Sequence, residues 1–226
     1  MPGFIKRILY FSVILLVTGC FQFNMDLKQQ KFWEWFSKNQ EKLYNTELQN
    51  HDLQNQYFNE LSDELGKIHP DLVFEFTPIQ ENKIKEFTIS ADGIEELFPI
   101  VISLIDKAPN IDKWKISAFR QRIAGDGLAI KFGELSIGYD DMYFRYIEEN
   151  GKLGIELNIR HYTEEPMMQN AIYILLDSLI GEYDVVTKID WIDWVKLNEN
   201  DIENLAPIKD LKVLIDRRKQ NEKDDK

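Results

Sequence analysis

Apolar residues recur at spacings of three and four over residues 24–66, as in Phe58, Leu61 and Leu65. This spacing places them on one face of an amphipathic helix. The very polar segment "NTELQNHDLQNQ" interrupts the pattern near its middle. The region is therefore either one long helix with an exposed centre or two helices with a break.

Alternation of apolar and polar residues predicts β-strands further along the chain. "DLVFEFTPI" and "KEFTISADG" form a first antiparallel hairpin, and "DDMYFRYIEENGKLGIELNIRHY" forms a second around the turn residues "EENGK". The same pattern predicts strands in "KWKISAFRQR", "LAIKFGELSIG" and "VVTKIDWIDWVKL".

Proline and glycine mark the ends of the remaining helices. In "IEELFPIVISLIDKAP" an interior proline would cost about 3 kcal/mol, so Pro99 favours a helix start near Phe98. In "EPMMQNAIYILLDSLIGEYD", Pro166 suits the first turn and Gly181 the end. A short amphipathic helix follows and leads into residues 216–226, a charged tail that we predict to be disordered.

This order of elements predicts an α+β fold in which an antiparallel sheet packs with helices on one face. No Gly/Ser/Pro-rich linker and no internal repeat divides the sequence. We therefore predict a single α+β domain over residues 27–215.

The first 20 residues have the three parts of an export signal. Lys6 and Arg7 supply positive charge, residues 8–17 form an apolar run, and "TGC" follows with small residues. Spanning a bilayer takes about 20 apolar residues, so this run is too short to be a transmembrane anchor.

The segment Val17-Thr18-Gly19-Cys20 resembles the lipobox of bacterial lipoproteins. The resemblance implies that residues 1–19 are a signal peptide, that cleavage falls between Gly19 and Cys20, and that the Cys20 thiol carries a lipid. Each acyl chain contributes about 0.8 kcal/mol per buried methylene, and two or three chains anchor stably. The expected partner is then the lipid bilayer on the extracytoplasmic side of the plasma or outer membrane, with residues 20–26 as tether. The alternative is a chance cysteine beside an uncleaved signal helix.

Charge and cysteine content limit the possible binding partners and the possible disulfide bonds of the protein. The 226-residue chain has a formal net charge of −12, so nucleic acid and anionic headgroups are poor primary partners. Cys20 is the only cysteine, so its lipidation would leave none for a disulfide. The exported domain would depend on its hydrophobic core.

No motif for catalysis or cofactor binding is present. The three histidines, His51, His69 and His161, lie far apart, and a single cysteine excludes a Cys-based zinc site. G-x-S-x-G, P-loop and G-x-G-x-x-G signatures are absent. We predict no cofactor and no metal.

Acidic residues are the strongest candidates for chemistry. Asp140 and Asp141 stand at a strand entrance, Asp177 lies within an apolar helix, and Glu182 lies near the end of that helix. If these carboxylates converged in a cleft, they could act as acid and base or bind a hard cation.

A structural role is the favoured alternative for the same residues. Turn and cap chemistry accounts for Asp140 and Asp141. A buried carboxylate needs a cation, so Arg120 or Arg122 is the expected partner of Asp177.

Two groups of aromatic residues could form a surface. Trp191 and Trp194 alternate imperfectly with Ile192 and Val195, so one indole is expected to face solvent, and exposed aromatics can bind a protein or a glycan. "FWEWF" (residues 32–36) belongs either to the core or to the membrane interface beside the lipid.

The segments "FWEWFSKN", "LVFEFTP", "FTISADGI", "AFRQR" and "LLDSLIGEYDV" together resemble a bacterial α+β domain to which no activity is assigned. The resemblance adds no site residues. The leading hypothesis is a membrane-anchored lipoprotein with a non-catalytic domain that binds another protein. The rival is a hydrolase-type or metal-dependent enzyme with an unrecognised carboxylate site.

Overall fold

The computed structural model describes residues 3–46, 51–125 and 127–224, with side chains from residue 24 onward. The helices are α1 (Gly3–Tyr44), α2 (His51–Gly66), α3 (Phe98–Asp106), α4 (Pro166–Ile180), α5 (Glu182–Lys188) and α6 (Leu211–Asp224). The strands are β1 (Val73–Phe76), β2 (Lys85–Ser90), β3 (Trp114–Ala118), β4 (Ala129–Phe132), β5 (Leu135–Gly138), β6 (Met142–Glu149), β7 (Lys152–Ile159), β8 (Trp191–Lys196) and β9 (Ala206–Pro207). Helices and antiparallel hairpins together confirm the α+β class.

The chain divides into two compact units, residues 1–118 and 119–226. The sequence predicts one domain over residues 27–215, because no linker-like segment occurs where the two units meet, between Ala118 and Phe119. Each unit has a sheet and a core of its own.

The first unit contains a three-stranded sheet in the order β1-β2-β3. The predicted hairpin is present as the antiparallel pair β1–β2, whereas β2 and β3 run parallel. Rings from α1 and the sheet stack in the core, with the centroids of Phe36 and Phe87 4.8 Å apart. Two separate helices, α1 and α2, occupy the region where one long helix was the other possibility.

Lys85 is buried at the end of α1, where its side chain caps the helix. Its Nζ donates to the carbonyls of Leu43 (3.1 Å) and Tyr44 (3.2 Å) and to Thr46 Oγ1 (2.8 Å). The last carbonyls of a helix lack intrahelical donors, and a cation at this end also interacts favourably with the helix dipole. Lys85 on β2 and the Thr46 hydroxyl thus supply donors to the end of α1.

The second unit contains a four-stranded sheet in the order β8-β7-β6-β9 and a two-stranded sheet, β4–β5. The predicted hairpin β6–β7 is antiparallel and turns at Asn150 and Gly151, both with positive φ (53° and 80°). Strands β7 and β8 run parallel. One face of the larger sheet packs against α4 and α6 in a single apolar core.

Three local predictions differ from the structure. The sheets are mixed rather than purely antiparallel, because β2–β3 and β7–β8 are parallel pairs. Residues 185–188 belong to α5 instead of a strand, with Val185 N–H donating to the Gly181 carbonyl as in a helix. Residues 216–224, predicted as disordered, continue α6, where Asp216 is ion-paired with Arg122.

Two predicted helix starts agree with the structure. Helix α3 begins at Phe98, so Pro99 lies in its first turn, and α4 begins at Pro166. Within the described residues, no helix combines the length and apolar character needed to cross a bilayer.

Candidate functional site

The structure brings Asp177 and Glu182 together around Arg120. Asp177 Oδ2 lies 3.3 Å from Arg120 Nη1, and Glu182 Oε2 accepts from the Arg120 backbone N–H at 2.9 Å. Both acids are buried, with exposed fractions of 6% and 0%. The Arg120–Asp177 pair predicted from burial is confirmed, and these two carboxylates hold the start of the second unit against the end of α4.

A second arginine, Arg122, extends this ion-pair network. Its guanidinium contacts Asp184 (3.0 Å) and Asp216 (2.6 Å), and its Nε donates to the Ile180 carbonyl (2.7 Å). Lys219 also reaches Asp184, at 2.7 Å. Sequence reasoning considered Arg122 only as an alternative partner of Asp177, because nothing local indicates that α6 approaches α5.

Asp140 and Asp141 belong to a separate surface network. Asp140 Oδ1 accepts from Lys209 Nζ at 2.7 Å, while Asp141 accepts from the Gly138 N–H at 3.0 Å and lies 3.2 Å from Arg160. Arg160 also binds Glu199, and its guanidinium holds the pKa of that carboxyl below the ordinary value. The four candidate acids thus lie in two separate networks: Asp177 and Glu182 at Arg120, and Asp140 and Asp141 at Lys209 and Arg160. In the described part of the chain, no group of three His, Cys, Asp or Glu residues has the geometry of a metal site.

The "FWEWF" segment contributes to the core of the first unit. Phe32, Trp33 and Phe36 are buried, and Trp33 Nε1 donates to the Leu104 carbonyl at 2.8 Å. Beside this segment, a groove of about 810 Å³ runs along α1, where Lys107 is paired with Asp26. Phe32, Trp33 and Phe36 therefore belong to the core, as one of the two alternatives predicted, whereas Trp35 is half-buried.

One indole of the two candidates in β8 faces solvent, as predicted. Trp191 is paired in register with Gly154 of β7 and is 42% exposed. A Cβ at position 154 would lie 2.0 Å from two atoms of the indole, so the ring lies directly over the glycine. Ile147 of β6 is opposite Gly154 on the same face and is 63% exposed. The three residues form an apolar row across the outer face of the sheet.

A charged row lies next to this apolar row. Arg145, Glu156 and Asp193 are paired in register across β6, β7 and β8. Arg145 is 2.7 Å from Glu156 and, by its hydrogen bond, lowers the pKa of that carboxyl. Asp193 is exposed, and its carboxylate makes no ion pair or hydrogen bond within the described residues. It therefore presents an uncompensated negative charge beside the Trp191 indole.

Aromatic residues also line the opposite side of β8. The ring of Trp194 lies 5.0 Å from that of Tyr173 on α4 and 6.0 Å from that of Tyr162, measured between centroids. Tyr173 and the adjacent Ile174 are about half exposed. Apolar surface thus reaches solvent on both sides of one strand.

Strand β8 is also an edge of its sheet, with β7 as its only neighbour within the described residues. Asp190, just before β8, fixes its register by accepting from Leu153 N–H (2.7 Å) and donating to the Leu153 carbonyl (2.8 Å). We call the strand and the exposed side chains around it the β8 edge surface, formed by Ile147, Tyr173, Ile174, Trp191, Asp193 and Trp194. The alternation of residues in the sequence predicted the exposed indole of this surface. It did not predict the strand register that brings the other residues of the surface together.

Residues Gly19 and Cys20 lie outside the residues whose side chains the structure describes, so the cleavage and lipid site stay predictions.

Neither a family model nor a curated protein nor a solved structure matches this chain.

Proposed function

We propose that this protein is a non-catalytic lipoprotein of the bacterial cell envelope that binds another protein through the β8 edge surface. The observation that carries the proposal is the exposure of aromatic side chains on both sides of one edge strand. Exposed apolar patches rimmed by polar residues commonly mark protein-binding sites. Aromatic residues are also over-represented among those that contribute most to binding energy.

The state of the acidic residues favours binding over catalysis. A general acid or base needs a titratable group that faces a substrate cavity and has a pKa near the working pH. Asp177 and Glu182 are buried against Arg120, and Asp140 and Asp141 are held by Lys209 and Arg160. For Asp140, Asp141 and Asp177 these contacts are structural ion pairs, and for Glu182 the contact is a hydrogen bond from the backbone N–H of Arg120.

The membrane location rests on the lipobox resemblance at Val17 to Cys20. Palmitate labelling of cells expressing the wild-type chain, Cys20→Ser and the conservative control Thr18→Ser tests it. Label is expected in wild type and Thr18→Ser, and Cys20→Ser is expected to accumulate as an unlabelled precursor. Undiminished labelling of Cys20→Ser would contradict the anchor.

Site-specific photo-crosslinking in cells tests the binding function. A photoreactive phenylalanine at position 147, on the β8 edge surface, is compared with the same residue at position 213, where Val213 is 69% exposed on α6. A discrete crosslinked product is expected from position 147 and not from position 213. Equal products from both positions, or none from position 147, would overturn the proposal.

A further inference from the structure

We infer that β8 accepts an extended segment of a basic protein partner as an additional strand of the four-stranded sheet. The inference rests on the proposed binding function and goes beyond it, because it specifies how the partner binds and what chemistry it has. Strand addition at a sheet edge obtains affinity from main-chain hydrogen bonds and specificity from alternate side chains. Strand β8 offers both.

The backbone of β8 has hydrogen-bonding groups directed to the open edge. Leu197 N–H donates to the Ile159 carbonyl of β7 at 2.9 Å. Ile159 is paired in register with Lys196, and a bond to the next residue, Leu197, is the offset of a regular parallel ladder, whereas the Asp190 bond to Leu153 lies before β8 begins. Successive residues of a strand direct their N–H and C=O to opposite sides, so the odd-numbered residues of β8 bond to β7. The N–H and C=O groups of Ile192, Trp194 and Lys196 therefore point away from β7. No backbone or side-chain partner for them occurs within the described residues.

The other edge of the sheet is less suited to a partner. Strand β9 has two residues, and one of them, Pro207, has no N–H to donate. Short edge strands and proline are common protections against unwanted pairing. Strand β8 has six residues and no proline, so of the two edge strands it offers the longer row of backbone groups.

An added strand would place its side chains alternately on the two faces of the sheet. On the outer face they would lie near Trp191 and Asp193, and on the other face near Trp194 and the exposed side of Tyr173. A lysine or arginine fits the first environment, because its cation can stack on the indole and pair with the carboxylate. An apolar residue fits the second. The expected partner segment thus alternates basic and apolar residues.

Charge also favours a basic partner over a second copy of the chain. The whole chain has a formal net charge of −12, and Asp193 adds an unpaired carboxylate at the edge. Two copies would bring like charges together, which opposes association and slows encounter, whereas a cationic segment would be attracted.

Selection from a phage-displayed library of random ten-residue peptides on the purified full chain tests the inference. Enriched peptides are expected to be cationic, to alternate basic and apolar residues, and to bind more weakly at high salt. The decisive variant is Lys196→Pro, because it removes an edge N–H without removing a ladder hydrogen bond to β7. Lys196→Ala is its matched control, and circular dichroism verifies that both variants fold.

Lys196→Pro and the charge reversal Asp193→Lys are each expected to weaken peptide binding by at least about tenfold, whereas Lys196→Ala is expected to bind as wild type. Failure to enrich peptides, enrichment of acidic or helical peptides, or unchanged binding by Lys196→Pro would overturn strand addition. Self-association of the chain that Lys196→Pro abolishes would overturn the basic partner. Crosslinking at position 147 without peptide binding would leave the proposed function standing and remove only this mode of binding.

Discussion

The contact between Trp191 and Gly154 makes the stability effect of one substitution depend on the residue beside it. Gly154→Ala adds a Cβ that would lie 2.0 Å from the Trp191 Cε2 and Cζ2 atoms. Overpacking of this kind typically costs about 1–3 kcal/mol. We therefore expect Gly154→Ala to lower the free energy of unfolding by that amount in the wild-type chain.

The same substitution is expected to change sign when the indole is absent. Glycine within a strand is about 0.5–1 kcal/mol less favourable than alanine, since it loses more backbone freedom on folding. In a Trp191→Ala background, Gly154→Ala should therefore stabilise the protein by about that amount. The coupling energy between the two positions is then about 1.5–4 kcal/mol.

Urea unfolding of the wild type, the two single variants and the double variant, followed by far-UV circular dichroism, measures the cycle. Hydrogen exchange at β7 and β8 locates the change within the second unit. Additive effects, with Gly154→Ala equally destabilising in both backgrounds, would refute the contact on which the outer face of the β8 edge surface is built.

Three further predictions concern the charged groups. Lys85→Met should destabilise the protein by about 1–3 kcal/mol in urea unfolding, because the Tyr44 carbonyl loses the ammonium that donates to it, while the Leu43 carbonyl keeps the Thr46 hydroxyl as a donor. The exposed control Lys31→Met should change the free energy of unfolding by less than about 0.5 kcal/mol, and equal effects of the two substitutions would contradict the cap. Arg122→Met should speed amide hydrogen exchange over residues 216–224, because Asp216 loses its ion-pair partner. Exchange at the wild-type rate would contradict a role for this ion pair in holding α6. Arg145 lowers the pKa of Glu156 from its ordinary value of 4.5, so the Glu156 carboxylate stabilises the folded state above pH 4.5, and this contribution is lost as the pH falls through the lowered pKa. The free energy of unfolding should therefore fall less between pH 5 and pH 3 in Arg145→Gln than in the wild type. An identical pH dependence of the two proteins would refute this ion pair's contribution.

The parts of the fold that the sequence predicts well depend on local interactions. The hairpin β6–β7 follows from a turn whose central residues, Asn150 and Gly151, tolerate positive φ. The starts of α3 and α4 follow from prolines, which fit only the first turn of a helix. In each case the residues that determine the structure are close together in the chain.

The parts that differ depend on contacts between distant residues. Val185 and its β-branched neighbours favour a strand by propensity, but Asp184 in the same segment is held by Arg122 and Lys219, and the segment is helical. The parallel pairs β2–β3 and β7–β8 join strands that are separated by helices, so no turn signal reveals them. The tail was predicted to be disordered from its charged composition, and composition carries no information about the ion pairs that the tail forms.

The candidate site shows the same division. Burial and charge alone were enough to predict that Asp177 pairs with Arg120 or Arg122, because an unpaired carboxylate inside an apolar helix would be costly, and the structure shows Arg120 as the partner. Imperfect alternation predicted one exposed indole. Neither argument could place Gly154 beneath Trp191, because that depends on the register between β7 and β8.

An open edge strand with exposed aromatics is also a hazard, since it can pair with another copy of itself. Asp193 limits this hazard on β8, because two acidic chains meeting at this edge would repel each other. The same carboxylate would attract a cationic segment, so one residue both opposes self-pairing and favours a basic partner. This dual role has a measurable consequence: the charge reversal Asp193→Lys should weaken binding of cationic peptides and strengthen self-association at the same concentration. A variant that loses peptide binding without gaining any tendency to self-associate would show that Asp193 does not protect the edge.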